Sequence, residues 1–349
     1  MMIDTKNPAV TAPRGGSPIR WLLAAAAGGV IAAGVVGRAR RIAGVAPELR
    51  TPLLYVPVSV NGLTRSVIQQ IAKAGMRSKP ANVRIITHQV PRGEGKPTTR
   101  LVTFERDGSS GLRPVLFWMH GGGYVTGTPE QDMPFISRLL ARFDLVVASV
   151  DYRLAPAHPF PVPLEDCHAA FDWVVHHAAE LGIDADRVVV GGQSAGGGLA
   201  AALVQRTVDL GPIVPVFQLL IYPMLDAMSV GRKDNAGTGD FIWNPKSNRY
   251  GWHSYLGGDP TSESYPDYAV PSARMDLSGL PPAWIGVGSL DLFHAENRIY
   301  AERLRQAGVP CEFETIDGAY HGFDVLAPNA ALTTRFNNSL FAALEKALR

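Results

Sequence analysis

Residues 188–200 read Val-Val-Val-Gly-Gly-Gln-Ser-Ala-Gly-Gly-Gly-Leu-Ala, and this stretch decides the fold. An apolar run typical of a buried strand leads into a G-x-S-x-G motif, and a run of small residues with helical spacing follows it. In that context a sharp turn between strand and helix lifts the serine hydroxyl above the sheet. Gly192 and Gly196 suit such a turn, because side chains there would collide with the neighbouring strand and helix. Ser194 is therefore the candidate nucleophile; the alternative is a glycine-rich turn that merely contains a serine.

The chain around this motif alternates between strand and helix patterns. Apolar runs predict strands at 114–119, 145–150, 187–190, 216–221, 283–287 and 311–316. Helical spacing of apolar residues predicts helices at 129–143, 164–181, 197–208, 295–307 and 332–348. Alternating patterns at Val83–Val90 and Arg100–Glu105 predict an antiparallel pair at a sheet edge. Strands that alternate with helices imply a mostly parallel sheet covered by helices.

The composition is that of a globular protein with many tight turns. Apolar residues make up 46% and charged residues 18% of the 349 residues, with 36 Gly and 27 Pro. These figures exclude a disordered chain, a coiled coil and a collagen. Cys167 and Cys311 form no metal-binding motif, so we expect buried free thiols and no metal site.

Charge sets the N-terminus apart from the rest of the chain. Residues 1–50 carry seven bases and two acids, whereas the remaining residues carry 26 bases and 29 acids. The mildly acidic body lacks the electrostatic footprint of a nucleic-acid-binding protein. We therefore expect no nucleic acid partner.

The apolar run at 21–37 follows a polar, Pro/Gly-rich tail that we expect to be mobile. The run holds no charged residue and ends at an Arg-Ala-Arg-Arg segment, which makes a poor signal-peptide cleavage site. It is also shorter than the roughly 20 apolar residues of a membrane span. We favour an apolar helix that packs on the body or lies on a surface, in a cytoplasmic protein. N-terminal membrane anchoring, with weak membrane contact through residues 21–41, stays open as the alternative.

A second glycine-rich segment, His120-Gly121-Gly122-Gly123, follows directly on the predicted strand at 114–119. Acyl transfer produces an oxyanion that needs two or three N–H donors already pointing inwards. Consecutive glycines let the backbone turn its amides towards one point, and the amide after the nucleophile adds another donor. We expect His120 to shape this loop rather than to act as a base.

A serine nucleophile also needs a base and an acid. His321 lies in a glycine-containing loop after the last predicted strand, where the chain order Ser, Asp, His places the base. Asp291 ends the preceding strand, 97 residues after Ser194 and 30 before His321. Asp226 and Asp317 are the rival acids. We favour Asp291, because ligand-facing groups in such sheets gather at the carboxyl ends of neighbouring strands.

These motifs, taken in order, resemble the hormone-sensitive-lipase family of α/β-hydrolases, the bacterial HGGG carboxylesterases. The likeness runs from about residue 80 to the C-terminus and includes Asp151-Tyr-Arg-Leu-Ala-Pro156, which lies between the two glycine-rich turns. Gln193 departs from the family pattern, which usually has Asp, Thr or Glu there. Ala157 and the Leu-Phe pair after Asp291 depart from it as well.

The resemblance implies an α/β-hydrolase fold, in which a central, mostly parallel eight-stranded sheet is flanked by helices and covered by a helical cap. Residues 81–349 would form the catalytic domain, with a cap insertion at about 225–276. Residues 1–80 would supply the tail, the apolar helix and the N-terminal part of the cap. The implied site consists of the triad Ser194, Asp291 and His321, the oxyanion donors Gly122, Gly123 and Ala195, and the supporting residues His120, Gly121, Gly192 and Gly196.

The implied activity is that of a serine carboxylesterase on short-to-medium acyl esters, with a small-molecule ester as partner and without metal or cofactor. Two interpretations, an acyl pocket and packing of the cap, fit four aromatic residues equally: Tyr124, Phe241, Trp243 and Trp252. An amidase or formamidase on the same triad and a non-catalytic ligand-binding protein on this fold are the alternatives. A second copy of the chain, bound in a homodimer, stays open as a further partner.

Overall fold

The computed structural model describes residues 37–74, 80, 82–93, 95, 97–232 and 237–349. Val45–Arg349 form one compact unit, and the residues before Val45 belong to a second, of which residues 37–43 are helical. The predicted mobile tail and nearly all of the apolar helix predicted at 21–37 lie outside the described residues. No helix within the described residues is long and apolar enough to cross a membrane.

A sheet of eight strands runs through the larger unit. The strands are β1 (Val83–Val90), β2 (Thr99–Arg106), β3 (Arg113–Met119), β4 (Val146–Asp151), β5 (Ile183–Gln193), β6 (Phe217–Ile221), β7 (Ala283–Gly288) and β8 (Cys311–Ile316). Their spatial order is β1-β2-β4-β3-β5-β6-β7-β8. The pairs β1–β2 and β2–β4 are antiparallel, and all the others are parallel. Both the mostly parallel sheet and its antiparallel edge, as predicted, are confirmed.

Helices cover the sheet and connect its strands. They are α1 (Arg65–Ala74), α2 (Met133–Arg142), α3 (Val162–His176), α4 (Ala195–Leu210), α5 (Pro245–Leu256), α6 (His294–Gln306), α7 (Phe323–Leu326) and α8 (Ala331–Ala347). The helix predicted at 129–143 begins instead as the 3-10 turn Pro129–Asp132. Pro134 at the start of α2 explains the break, because proline lacks the N–H that would continue the preceding turn.

The centre of the sheet forms the core and holds the site rigidly. Every residue of β3 is buried, as the continuous apolar run predicts for a strand covered on both faces. Helix α4 packs against β5 and β6, and α8 packs against β6, β7 and β8. Because the strand ends are fixed by this packing, side chains placed just after them have little freedom.

The insertion after β6 contains α5 together with the 3-10 turn Ala227–Gly231, and its assignment as a cap stays a prediction. Asn244 caps α5, its side-chain oxygen accepting from two amides of the first turn. The Asn244 Nδ2 also donates to the Val58 carbonyl (2.9 Å), and the Val60 amide donates to Ser247 Oγ (2.9 Å). The segment before β1 therefore contacts the inserted helix, whereas the predicted domain boundary at residue 80 stays a prediction.

Candidate active site

Ser194 stands at the sharp turn between β5 and α4, with φ 55° and ψ −122°. Non-glycine residues rarely adopt such a conformation, which costs about 1–3 kcal/mol and persists only where the surroundings enforce it. The Ser194 amide donates to the Ile221 carbonyl at the end of β6 (2.9 Å). A Cβ on Gly192 would lie 2.3 Å from the Gly196 carbonyl oxygen, and one on Gly196 would lie 2.1 Å from that of Met119. The two glycines are therefore required by backbone contacts on both sides of the turn.

His321 joins Ser194 to Asp291. Its Nε2 lies 2.9 Å from Ser194 Oγ, and its Nδ1 lies 2.7 Å from Asp291 Oδ2. Asp291 is fully buried, and its Oδ1 accepts from the Phe293 amide (2.9 Å). A carboxylate facing Nδ1 favours the proton on that nitrogen, so Nε2 keeps a lone pair for the serine hydroxyl. The three residues thus form a continuous chain of hydrogen bonds across the ends of β5, β7 and β8.

The rival acids lie in other environments. Asp226 accepts from the Met228 amide (3.0 Å) and pairs with Arg232 (3.2 Å), so it caps the 3-10 turn that follows it. Asp317 is exposed to solvent. The geometry therefore brings Asp291, and not either rival, to the histidine.

Aromatic rings fix the orientation of the His321 imidazole. The ring centroids of Tyr222 and Phe293 lie 4.7 and 5.2 Å from that of His321, each in an edge-on arrangement. The Trp243 ring lies at 6.4 Å. Tyr222 and Phe293 are not among the residues expected from the sequence, although both follow strands whose carboxyl ends point at the site.

The glycine loop after β3 adopts backbone conformations that favour glycine. Gly122 and Gly123 have φ values of 130° and 63°. A Cβ on Gly122 would lie 2.0 Å from the Thr126 carbonyl oxygen, and one on Gly123 would lie 2.0 Å from the Trp243 ring. Within the described part of the chain, the amides of Gly122, Gly123 and Ala195 donate to no protein acceptor. Three N–H groups near Ser194 are thus left available to a ligand.

His120 is buried and shapes the loop. Its Nδ1 lies 2.9 Å from the Gly121 carbonyl oxygen, and its ring stacks on Tyr152 with centroids 4.3 Å apart. The Tyr152 hydroxyl donates to the His120 carbonyl (2.7 Å). Burial lowers the pKa of His120, which keeps the imidazole neutral. These contacts agree with a supporting role rather than that of a base.

The four aromatic candidates divide into two pairs. Trp243 lies against Gly123 and near His321, and Phe241 packs on Tyr320, the neighbour of His321 in the chain (5.9 Å between centroids). Tyr124 and Trp252 instead pack on each other (5.4 Å). The Tyr124 ring also stacks on Tyr255 at 4.0 Å. Of the four, Trp243 is the one whose ring lies near His321, and Phe241 reaches only the neighbouring Tyr320.

Comparison with known proteins decides the family. Residues 116–325 match the family model described as the alpha/beta hydrolase fold. The chain belongs to this family. The predicted likeness to its hormone-sensitive-lipase branch is confirmed, and so is the predicted fold.

Two relatives of this family member are named as esterases. Esterase LipI of Mycobacterium tuberculosis is 32% identical over 284 residues, which cover 76% of this chain and 88% of LipI. Carboxylesterase NlhH of the same species is 36% identical over 240 residues, covering 67% of this chain and 74% of NlhH. The prediction of an ester hydrolase is therefore confirmed at the level of the family.

Solved structures agree with this assignment. A bacterial heroin esterase superposes with a TM-score of 0.81 and 34% identity, covering 88% of this chain and 99% of that one. Esterase LipW from Mycobacterium marinum superposes with a TM-score of 0.78 and 31% identity, covering 88% of this chain and 96% of LipW. Both likenesses extend over most of this hydrolase.

A set of hydrogen-bonded polar side chains around Gln193 was not predicted from the sequence. Asp132 and Tyr222 form hydrogen bonds to Gln193, the residue that precedes the nucleophile, and the Tyr222 hydroxyl also binds Asp324. No local pattern marks Asp132, Tyr222 and Asp324, because they come from three separate segments of the chain. The departure of Gln193 from the family pattern is the one sequence feature that points to them.

Proposed function

We propose that this hydrolase is a serine carboxylesterase that cleaves short-to-medium acyl esters through an acyl-enzyme. The observation that carries the proposal is the hydrogen-bonded chain from Ser194 Oγ through His321 to Asp291. A serine hydroxyl is a weak nucleophile unless a base removes its proton, and this geometry supplies the base together with the group that orients it. The esterase names of the relatives support the same reaction class.

In the first half of the reaction, Ser194 Oγ attacks the ester carbonyl carbon while its proton passes to His321 Nε2. The carbonyl oxygen becomes an oxyanion, which the free amides of Gly122, Gly123 and Ala195 stabilise. Asp291 stabilises the imidazolium. The ester C–O bond then breaks, and the proton on Nε2 goes to the departing alcohol oxygen.

In the second half, His321 takes a proton from water as the water oxygen attacks the acyl carbon. The same three amides hold the second oxyanion. The bond between the acyl carbon and Ser194 Oγ breaks, Oγ recovers its proton from His321, and the carboxylic acid leaves. No step requires a group beyond the side chains, the amides and water.

The acyl chain is proposed to lie beside Trp243 and Phe241. Trp243 contacts the glycine loop on one side and faces His321 on the other, so its ring borders the place where the acyl carbon must sit. We assign Tyr124 and Trp252 to packing of the cap, since their rings contact each other and Tyr255.

Ester turnover and covalent labelling test the proposal together. We expect sustained release of p-nitrophenol from p-nitrophenyl butyrate, and no detectable release of p-nitroaniline from the matched anilide. A p-nitrophenyl alkylphosphonate should add one phosphonyl group per chain, located on Ser194 by peptide mass spectrometry. Anilide turnover at the ester rate would favour the amidase instead, and absence of both turnover and label would favour a ligand-binding protein.

A methyl group added to the glycine loop is expected to displace the amides that stabilise the oxyanion. In Gly122→Ala the new Cβ meets the Thr126 carbonyl, so the loop must shift and its amides leave their positions. Loss of one oxyanion donor lowers kcat by about 10²–10³-fold. Gly258→Ala is the matched control, because its Cβ meets nothing within 4 Å, and it should keep wild-type kcat. Equal kcat in the two variants would contradict the assignment of the loop.

A further inference from the structure

The amide of Gln193 bridges two groups that the reaction scheme does not use. Its Nε2 donates to Asp132 Oδ1 through a short hydrogen bond, and its Oε1 accepts from the Tyr222 hydroxyl at 3.2 Å. The same hydroxyl lies 2.9 Å from Asp324 Oδ1. Asp132, Tyr222 and Asp324 are all buried. A row of hydrogen-bonded polar groups therefore runs from Asp132 to Asp324, with the Gln193 amide, next to the nucleophile in the chain, as one of its inner members.

One end of this row is attached to the glycine loop. Asp132 closes the 3-10 turn that follows the loop, and its Oδ2 accepts from Trp118 Nε1 (2.7 Å). Gln131, in the same turn, donates to the Gly121 carbonyl (3.1 Å). The side-chain stem of Gln193 also lies close to Gly121, since a Cβ on that glycine would be 3.2 Å from Gln193 Cγ. The position of the loop is thus coupled to the Gln193 amide.

The other end of the row is attached to the catalytic base. The Tyr222 ring packs edge-on against the His321 ring, with centroids 4.7 Å apart. Asp324, which binds the Tyr222 hydroxyl, lies in α7, three residues after His321. A displacement of the Tyr222 hydroxyl would therefore move the surface on which the imidazole rests.

We propose that Gln193 is a positioning residue, whose amide ties the glycine loop to the histidine loop and so holds the oxyanion donors, Ser194 and His321 in register. The inference rests on the proposed function, because it takes Ser194 as the nucleophile and His321 as its base. Gln193 acts through these residues and does not touch the reacting atoms.

The charges around the row explain why an amide suits position 193. Burial raises the pKa of Asp132 to about 7 and also raises that of Asp324. The other titratable or charged groups that face this pair are Tyr152, Tyr222, Arg138 and His321. The Gln193 amide adds no charge here. Its N–H can donate to an ionised Asp132 carboxylate, and its oxygen can accept from a protonated Asp132 carboxyl group. A carboxylate at position 193 would place a third acid between the two.

The test compares Gln193→Glu with the wild type on p-nitrophenyl butyrate between pH 6 and pH 8. At pH 8 the introduced carboxylate and that of Asp132 repel each other and the bridge opens, so kcat should fall about tenfold, as for loss of one charged hydrogen bond. KM should stay within about twofold, because the substrate does not contact the bridge. At pH 6 the two acids share a proton, and the difference from wild type should shrink.

A rescue variant separates positioning from a general loss of structure. In the double variant of Asp132→Asn and Gln193→Glu, the neutral asparagine side chain donates a hydrogen bond to the introduced carboxylate. The double variant should therefore have the same kcat at pH 8 as Asp132→Asn alone. Gln193→Met, which keeps the length but has no donor, should lower kcat about tenfold at every pH. Wild-type kcat and pH profile in both Gln193 variants would overturn the proposal, and so would failure of Asp132→Asn to rescue Gln193→Glu.

Thermal unfolding distinguishes this proposal from the proposed function. If the wild type does not cleave the ester, the esterase function fails, but the bridge remains measurable. The Tm of Gln193→Glu should then fall relative to wild type as the pH rises from 6 to 8, and Asp132→Asn should remove that fall. A constant difference in Tm across this range would show that no bridge to Asp132 exists.

Discussion

Ser194→Ala is expected to lower kcat for p-nitrophenyl butyrate by about 10⁶-fold, the largest loss of any single substitution in this site. Without Oγ no acyl-enzyme forms, and His321 has no hydroxyl proton to remove. The residual rate should be that of water attack assisted by the oxyanion donors and substrate binding. Steady-state kinetics and the loss of phosphonate labelling measure the effect.

The fold should survive this substitution. The Ser194 hydroxyl forms its side-chain hydrogen bond with His321 only. An alanine at this position would adopt the same backbone conformation, with φ 55°, at the same cost as serine. Ser149→Ala is the matched control, since Ser149 is buried in β4 and its Oγ has no hydrogen-bond partner among the described residues. We expect wild-type kcat in the control and similar Tm values in both. Turnover by Ser194→Ala within tenfold of wild type would show that another residue is the nucleophile.

Asp291→Asn is expected to lower kcat by about 10⁴-fold with little change in KM. Both carboxylate oxygens act as acceptors, one from the Phe293 amide and one from His321 Nδ1. Asparagine has one acceptor oxygen and one donor NH₂, so it cannot satisfy both partners at once. If the asparagine NH₂ faces His321, the imidazole must carry its proton on Nε2 instead of Nδ1. Nε2 then has no lone pair to accept the proton of the serine hydroxyl.

The rival acids supply the controls for this prediction. Asp226→Asn keeps a side-chain oxygen for the Met228 amide, and Asp317 is exposed, so both asparagine variants should retain kcat within about twofold. Single-turnover kinetics would also show whether Asp291→Asn slows acylation as expected. A loss of about 10³-fold or more in either control, with Asp291→Asn unaffected, would assign the orienting acid elsewhere.

Much of the fold is predictable because its signals are local. The run from Val188 to Ala200 contains a strand, a turn and a helix, and the residue types of each segment predict that element without reference to distant parts of the chain. The predicted edge strand Val83–Val90 has the bounds observed, since it alternates polar and apolar residues on a half-exposed face. Predicted helix ends differ from the observed ones by a few residues, because end positions depend on capping and on neighbouring loops.

The choice of the acid that orients His321 cannot be made from local sequence patterns. Asp226, Asp291 and Asp317 each lie within five residues of the end of a predicted strand. The three acids differ in where their side chains point and in which groups they contact. Both depend on the register of β7 against β8 and on the turn after each strand. No spacing within one segment carries that information.

Residue types and their order thus determine the two glycine-rich turns and the mostly parallel sheet, and they predict Ser194 and His321 at the candidate site. The tertiary structure alone decides that Trp243 faces the histidine whereas Trp252 packs on Tyr124. It also connects Asp132 to Asp324 through the Gln193 amide and the Tyr222 hydroxyl, although 192 residues separate the two acids in the chain. Such contacts join distant loops through the stacking of whole strands and helices, and their geometry leaves no periodic trace in the sequence.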